Sequence, residues 1–227
     1  TLGPPHNRTL IDKAPATTGI YTYDELYRLT GDTVTIGALN QYSKGFTYDD
    51  VGNRQTQTTT IGPAGSPGPN LSAGTLAYAY DERDRLTTET LDANPPTTYG
   101  WDDDGNLVTK SGEATYTWDR ENRLVRVTKT DGTIVEHTYD SDGARVQTIT
   151  TPSGGSAATT NFLVDTSGSL SHVVAETDVD GKLVVHYVRG DDLLSVMRPL
   201  VAAPASATDW QTRYYHADGI GSIRRLT

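Results

Sequence analysis

The 227-residue chain has no cysteine, one methionine and only two phenylalanines. Without cysteine it can form no disulfide and offers no thiolate to a metal or substrate, a usage that fits an exported bacterial protein. No run of 18 apolar residues occurs, which excludes a membrane-spanning helix. Nor does any stretch of 11 to 18 residues carry a helical stripe; leucine and alanine, the helix formers, do not dominate. Clustered basic charge is missing too. The 19 Lys and Arg are scattered among 29 Asp and Glu, for a net charge of -10. Phosphate neutralisation needs concentrated cations, so nucleic acid is excluded as a partner. No signal peptide opens the chain, and Thr1 in place of an initiator methionine suggests a fragment or a mature product.

What the chain has is threonine, 36 copies of it, with 22 glycines and 13 tyrosines. Threonine and tyrosine suit a pleated, partly wet surface. The length is enough to bury a real core, as one large β domain or two smaller ones.

The tyrosines are not spread at random. "YTYD" begins at Tyr21, "FTYD" at Phe46, "YAYD" at Tyr78, "YGWD" at Tyr99, "YTWD" at Tyr116 and "HTYD" at His137, with a degenerate "FLVD" from Phe162. The second positions are Tyr23, Tyr48, Tyr80, Trp101, Trp118, Tyr139 and Val164, spaced 25, 32, 21, 17, 21 and 25 residues apart. Aspartate follows each: Asp24, Asp49, Asp81, Asp102, Asp119, Asp140 and Asp165. Four positions after the second aromatic stands a turn-former (Gly52, Asp84, Gly105, Asn122, Gly143, Gly168), with Tyr27 the exception. Six positions after it stands Leu29, Leu86, Leu107, Leu124 or Leu170, replaced by Arg54 and Arg145 in two copies. Short units repeated in this way are the signature of a stacked array.

Each unit reads as strand, turn, strand. The aromatics at i and i+2 share one face of a strand. The Asp closes that strand, where its carboxylate accepts from turn N–H groups. The leucine sits on the returning strand and packs against aromatics. Over residues 124–139, Asp131-Gly132 is the strongest hairpin signal. A two-residue loop there sets Leu124 opposite Tyr139, Arg126 opposite His137 and Thr128 opposite Val135. Over 107–118, a Ser111-Gly112 loop sets Leu107 opposite Tyr116. Both registers put leucine and aromatic on one face. One hairpin is marginal, but joined edge to edge each one pairs the open edge of the next.

The organisation that follows is an irregular lead-in over 1–19, a hairpin array over 20–151, and a continuation of that array over 152–227. Surface loops are expected at 62–70, 151–161 and 199–210, where Gly, Pro and small residues gather.

Motifs for chemistry are weak. "VDTSGS" at 164–169 mimics an aspartic-protease loop, but two such loops must share a proton, and this one falls on the repeat Asp. "DDDGN" at 102–106 and "DSDG" at 140–143 look like calcium loops, without the closing Glu or the flanking helices. They read as turns. The five histidines (His6, His137, His172, His186, His216) lie on strand-like or terminal stretches without a nucleophile elbow, and His137 replaces a repeat aromatic. The aromatics are candidates for stacking on sugars, but their fixed repeat positions favour packing between hairpins. Asn7 and Asn70 sit in short glycosylation sequons. No catalytic, cofactor-binding or metal residue is assigned.

These residues resemble the Rhs/YD-repeat family, named for its Tyr-Asp dipeptides. The pattern Y-x-[YW]-D-x-x-G-[NR]-L is matched at six places over 21–151. The stretches 163–198 (with Tyr187-Val188-Arg189-Gly190) and 213–227 look like the family's segment before its core terminus. The resemblance implies an all-β fold of consecutive antiparallel hairpins in a continuous, spirally wound sheet, the wall of a shell or tube. It implies a secreted or cell-surface scaffold that encapsulates or displays a C-terminal toxin, as in toxin-complex cocoons, with teneurin shells as relatives. Its partners would be neighbouring repeat segments or like subunits, the enclosed toxin, and carbohydrate; the alternative is an extracellular adhesive or filament-forming module. The chain stops before the family's closing motif, so its self-cleaving aspartates map to no residue here.

Overall fold

A computed structural model describes residues 10–13, 17–63, 71–168, 171–190, 193–201, 204, 206–217 and 222–227. Among them are nineteen strands and one turn of 3-10 helix, Ala207–Asp209. The strands are β1 Leu10–Lys13, β2 Thr17–Tyr23, β3 Leu29–Ile36, β4 Leu39–Tyr48, β5 Arg54–Ile61, β6 Gly74–Tyr80 and β7 Leu86–Leu91. There follow β8 Thr97–Trp101, β9 Leu107–Lys110, β10 Ala114–Trp118, β11 Leu124–Lys129, β12 Ile134–Tyr139 and β13 Arg145–Thr151. The last are β14 Ala158–Asp165, β15 His172–Thr177, β16 Leu183–Arg189, β17 Leu193–Pro199, β18 Trp210–Ala217 and β19 Ile223–Leu226. They belong to one antiparallel sheet in which each strand pairs with the next in the chain. The architecture is the all-β array of consecutive hairpins read from the repeat.

Contacts divide the chain into two compact units, residues 1–102 with 109–112, and residues 103–108 with 113–227. Position 151 falls inside the second unit, where β13 and β14 are paired neighbours. Few residues are fully enclosed. Ala114, Ala175, Val185 and Val196 are the buried apolar residues described, and Thr59 and Ser195 the buried polar ones. The core expected of a chain this long is therefore thin. The strands bury their side chains chiefly against cross-strand neighbours. In β10 the alternation is plain, with Tyr116 and Trp118 half-buried and Thr115 and Thr117 exposed. The opposite face accounts for much of the threonine: Thr47 bonds Thr56 at 2.7 Å and Thr58 bonds Thr75 at 3.0 Å across paired strands.

Four expectations need correction. The lead-in over 1–19 is not irregular throughout, since Leu10–Lys13 is a strand paired with β2, which itself begins at Thr17. The loop expected over 151–161 is shorter, because β13 runs to Thr151 and β14 starts at Ala158. The 62–70 loop lies largely outside the described residues. The Asp131-Gly132 hairpin is off by one residue: Arg126 faces Glu136, Val127 faces Val135 and Thr128 faces Ile134. The loop holds three residues, closed by Lys129 N–H to the Thr133 carbonyl at 2.8 Å and Gly132 N–H to the Lys129 carbonyl at 3.0 Å. Only Gly132 (φ 85°) is left-handed there. A type I turn followed by one left-handed residue needs a single such position, where a two-residue loop needs two. Likewise the turn after β9 spans 111–113 rather than two residues.

Candidate functional site: the tyrosine-aspartate turns

The copies at Asp24, Asp49, Asp81, Asp119 and Asp140 use that same three-residue turn. The repeat Asp donates its N–H to the residue four positions on, as in Asp24 to the Arg28 carbonyl at 3.0 Å and Asp119 to the Arg123 carbonyl at 3.0 Å. The residue three after the Asp donates back to it, as Asn122 does to Asp119 at 3.1 Å. That residue is left-handed in six copies: Tyr27, Gly52, Asp84, Gly105, Asn122 and Gly143. Tyr27, the exception in the sequence, takes φ 61° nonetheless.

The carboxylates hold these turns from inside. Asp119 Oδ1 accepts from the N–H groups of Glu121 at 2.9 Å and Arg123 at 3.0 Å. Asp24, Asp81 and Asp140 do the same with residues two and four positions on. Asp49 accepts from Gly52 and Asn53. Asp165 accepts from Ser167 at 2.9 Å, beside the bend at Gly168. Asp178, outside the six copies, builds an identical turn with Asp180 and Lys182. The backbone N–H groups of Arg85 and Arg123 hold the Asp81 and Asp119 carboxyls below the usual carboxylate value, outweighing the opposing effect of partial burial. At Asp24 partial burial is the largest influence and opposes ionisation, but the Arg28 side chain and N–H together overcome it.

After each turn the register shifts by a bulge that sets the second aromatic opposite the residue six positions on. The pairs are Tyr23 with Leu29, Tyr48 with Arg54, Tyr80 with Leu86, Trp118 with Leu124 and Tyr139 with Arg145. Leu124 therefore pairs with Trp118 of its own copy, not with Tyr139 of the next. The bulge re-aims the leucine onto the aromatic face, which the off-by-one hairpin would otherwise deny it.

The aromatic's polar atom ties one copy to the one before. Tyr48 Oη donates to the Leu29 carbonyl at 2.7 Å, and Tyr80 Oη to the Arg54 carbonyl at 2.9 Å. Trp101 Nε1 donates to the Leu86 carbonyl at 2.9 Å, Trp118 Nε1 to the Leu107 carbonyl at 2.8 Å, and Tyr139 Oη to the Leu124 carbonyl at 2.9 Å. A phenol or indole fits because it pairs a large apolar body with one donor at the far end.

A second tie escapes the Tyr-Asp motif. Arg28, Arg85 and Arg123 stand four residues after their Asp and bind it through Nε at 2.6, 2.8 and 2.7 Å. Their Nη1 groups reach the carbonyl of the next copy's Asp: Asp49 at 3.0 Å, Asp102 at 3.0 Å and Asp140 at 3.4 Å. In the copies between, Asn53 and Asn106 reach the next turn instead, at Asp84 Oδ1 and Asn122 Oδ1, both at 2.8 Å. Guanidiniums also cover the rings of the following copy. Arg28 lies over Tyr48 at 4.8 Å, Arg85 over Trp101 at 5.8 Å and Arg123 over Tyr139 at 5.0 Å. Where the leucine is replaced, Arg54 lies over Tyr78 at 4.6 Å and Arg145 over Phe162 at 5.3 Å. Cation–π contacts of this kind contribute roughly 0.5–1 kcal/mol when exposed. They also occupy ring faces that sugar stacking would use. The alternation of Arg and Asn was visible in the sequence as a second period, once the Asp was taken as the origin.

Of the first-position residues, Tyr21 faces Asp32, Phe46 faces Gln57, Tyr78 faces Glu89, Tyr116 faces Val127 and His137 faces Thr148. Tyr99 donates to Glu89 at 3.2 Å. Burial pushes the His137 imidazole below its ordinary value, and its Nδ1 lies 2.9 Å from the Thr148 hydroxyl. Among the described residues no three His, Asp or Glu cluster as metal ligands. Ser169 of the protease-like stretch, His6 and both sequon asparagines lie outside the described residues.

Taken together, fold and turns define a tandem YD-repeat protein, a hairpin array in which each copy is locked to the next by aromatic, Arg and Asn. The family described as Teneurin YD-shell matches residues 5–188, and the chain belongs to it. Two curated relatives are similar. The tRNA3(Ser)-specific nuclease WapA of Bacillus spizizenii is 32% identical over 171 residues, covering 74% of this chain. The tRNA nuclease WapA of Bacillus subtilis is 31% identical over the same length. The chain spans 6% of the length of either relative. Among solved structures, the TcdB2-TccC3 crystal structure aligns over 97% of this chain and 15% of that one, with TM-score 0.51 and 13% identity. The Photorhabdus luminescens Tc holotoxin pore aligns over 97% of this chain and 14% of that one, with TM-score 0.50 and 12% identity. These likenesses show the fold.

Proposed function

We propose that the chain is a wall segment of a hollow, spirally wound β-shell that encapsulates or displays a C-terminal effector of a secreted or surface-bound Rhs-type protein. The observation that carries this is the copy-to-copy lock. Five aromatic-to-carbonyl bonds and five Arg or Asn bridges serve continuity of the sheet, and none of them leaves a reactive group free. Such a surface suits a barrier better than a catalyst. The nuclease named for the WapA relatives is read as residing elsewhere in those long proteins, since this chain is acidic overall and spans 6% of their length. The partners are neighbouring repeats and the enclosed effector.

The test is limited proteolysis of the full-length parent protein. The region after the shell should resist protease in the wild type. It should become cleavable when the turns at Asp81, Asp119 and Asp140 are broken together by alanine. Equal cleavage of that region in both proteins would refute encapsulation.

A further inference from the structure

The second unit holds a shallow groove of about 300 Å³ between β17, β18 and β19, lined by Val196, Arg198, Gln211, Arg213, Tyr215 and Leu226. The register puts all six on one face. Val196 pairs with Arg213, Arg198 with Gln211, and Tyr215 with Leu226. It is the face of the repeat aromatics, since Phe162 faces Glu176, Glu176 faces Val185, and Tyr187, two beyond Val185, faces Val196.

The groove's charge is out of keeping with the chain, which carries -10 overall. The repeat arginines that bind an Asp are Arg28, Arg85 and Arg123. Among the described residues, Arg198 and Arg213 make no ion pair. Arg213 Nε donates to Gln211 Oε1 at 3.2 Å. Glu176, one strand beyond Tyr187 on this face, accepts the Tyr187 hydroxyl at 2.6 Å. Burial, then Glu176, pushes that phenol up to about 12. Arg198 and Arg213 are diagonal neighbours on adjacent strands, across from Gln211 and Val196, with Tyr215 and Leu226 at one end. Two planar, delocalised forks side by side favour a carboxylate. A sugar would need acceptors for its hydroxyls. The lining has no carboxylate, and its one amide oxygen already accepts from Arg213.

We propose that this groove binds a carboxylate carried on an apolar peptide segment. Arg198 and Arg213 hold the acid, and Tyr215 and Leu226, which are not buried, hold its aliphatic neighbours. This site does not depend on the shell reading, because it needs only the second unit's sheet.

The full chain is titrated with the peptide acetyl-Leu-Glu-Leu-Glu-Leu-amide, and with its Gln counterpart, by isothermal titration calorimetry at physiological salt. The Glu peptide should bind about tenfold or more tighter than the Gln peptide, as expected for a charge-assisted pair. The Arg198→Ala/Arg213→Ala variant should lose that difference. An Arg83→Ala/Arg120→Ala control, equal in charge, should keep it. Side-chain Nε–H signals of Arg198 and Arg213 should shift in the wild-type titration, a readout that needs no variant. Equal binding of the two peptides, unmoved arginine signals, or an unchanged double variant would each overturn the proposal. So would tighter binding of a hexuronate oligosaccharide, which would make the ligand a glycan.

Discussion

Replacing Tyr48, Tyr80 and Tyr139 by Phe removes three oxygen atoms and nothing else. Each hydroxyl donates to a carbonyl of the preceding copy at 2.7, 2.9 and 2.9 Å. Each ring and its cross-strand pair stay in place, as do the guanidiniums over Tyr48 and Tyr139. A typical hydrogen bond contributes a net ~0.5–1.5 kcal/mol. The three hydroxyls bond three different carbonyls in separate copies, so their costs should add, to about 1.5–4.5 kcal/mol for the triple variant. For a chain this long, 1 kcal/mol moves Tm by roughly 2–4 °C. The single variants should melt about 1–6 °C lower, and the triple variant by close to the sum. Tyr214→Phe is the control, because Tyr214 is 58% exposed. Circular dichroism against temperature, repeated in urea, reads the effect. If the triple variant melts with Tyr214→Phe, the aromatic-to-carbonyl bonds hold nothing together.

Tyr27→Gly should stabilise the protein by ~1 kcal/mol, because a left-handed residue with a Cβ at φ 61° gives way to one that adopts it freely; a lower Tm would show that the ring has another role. Arg123→Lys should expose the amides of 119–123 to hydrogen exchange almost as much as Arg123→Ala. A lysine cannot span Asp119 and the Asp140 carbonyl at once. The Asp81 and Asp119 carboxyls sit below the usual 3.8 in the fold, so their stabilisation is full above that pH and fades as pH falls through the lower folded values. Acid melting should accordingly begin below pH ~4, and a turn-loosening transition near neutrality would contradict these assignments. Tyr139→Ala should cost more than Arg126→Ala, whose pairing with Glu136 at 3.0 Å is half-exposed and worth ~0–1 kcal/mol.

The hairpin array was legible because two signals coincide in the first five copies, a period-two aromatic pair and an Asp at its end, and the Asp persists where His137 and Val164 replace an aromatic. That pair fixes the strand, and the Asp fixes where it stops. Register was not legible. Asp131-Gly132 satisfies the two-residue hairpin pattern as well as the three-residue one, and the choice rests on Thr130, whose ordinary backbone the sequence does not mark. The bulges are equally silent, since no residue type requires the shift between Thr117 and Trp118. Glycine, proline and small residues pointed to loop up to Asn161, yet Ala158–Asn161 pairs along β13 because a neighbouring edge was there to take it. The Arg and Asn bridges were present in the letters, but their meaning depends on which turns become neighbours.

Backbone NOEs between strands measure the central claim most directly. Each strand should show contacts to the next in the chain, with Tyr116 opposite Val127, Val127 opposite Val135 and His137 opposite Thr148. Contacts that skip strands, or that place Leu124 opposite Tyr139, would contradict it.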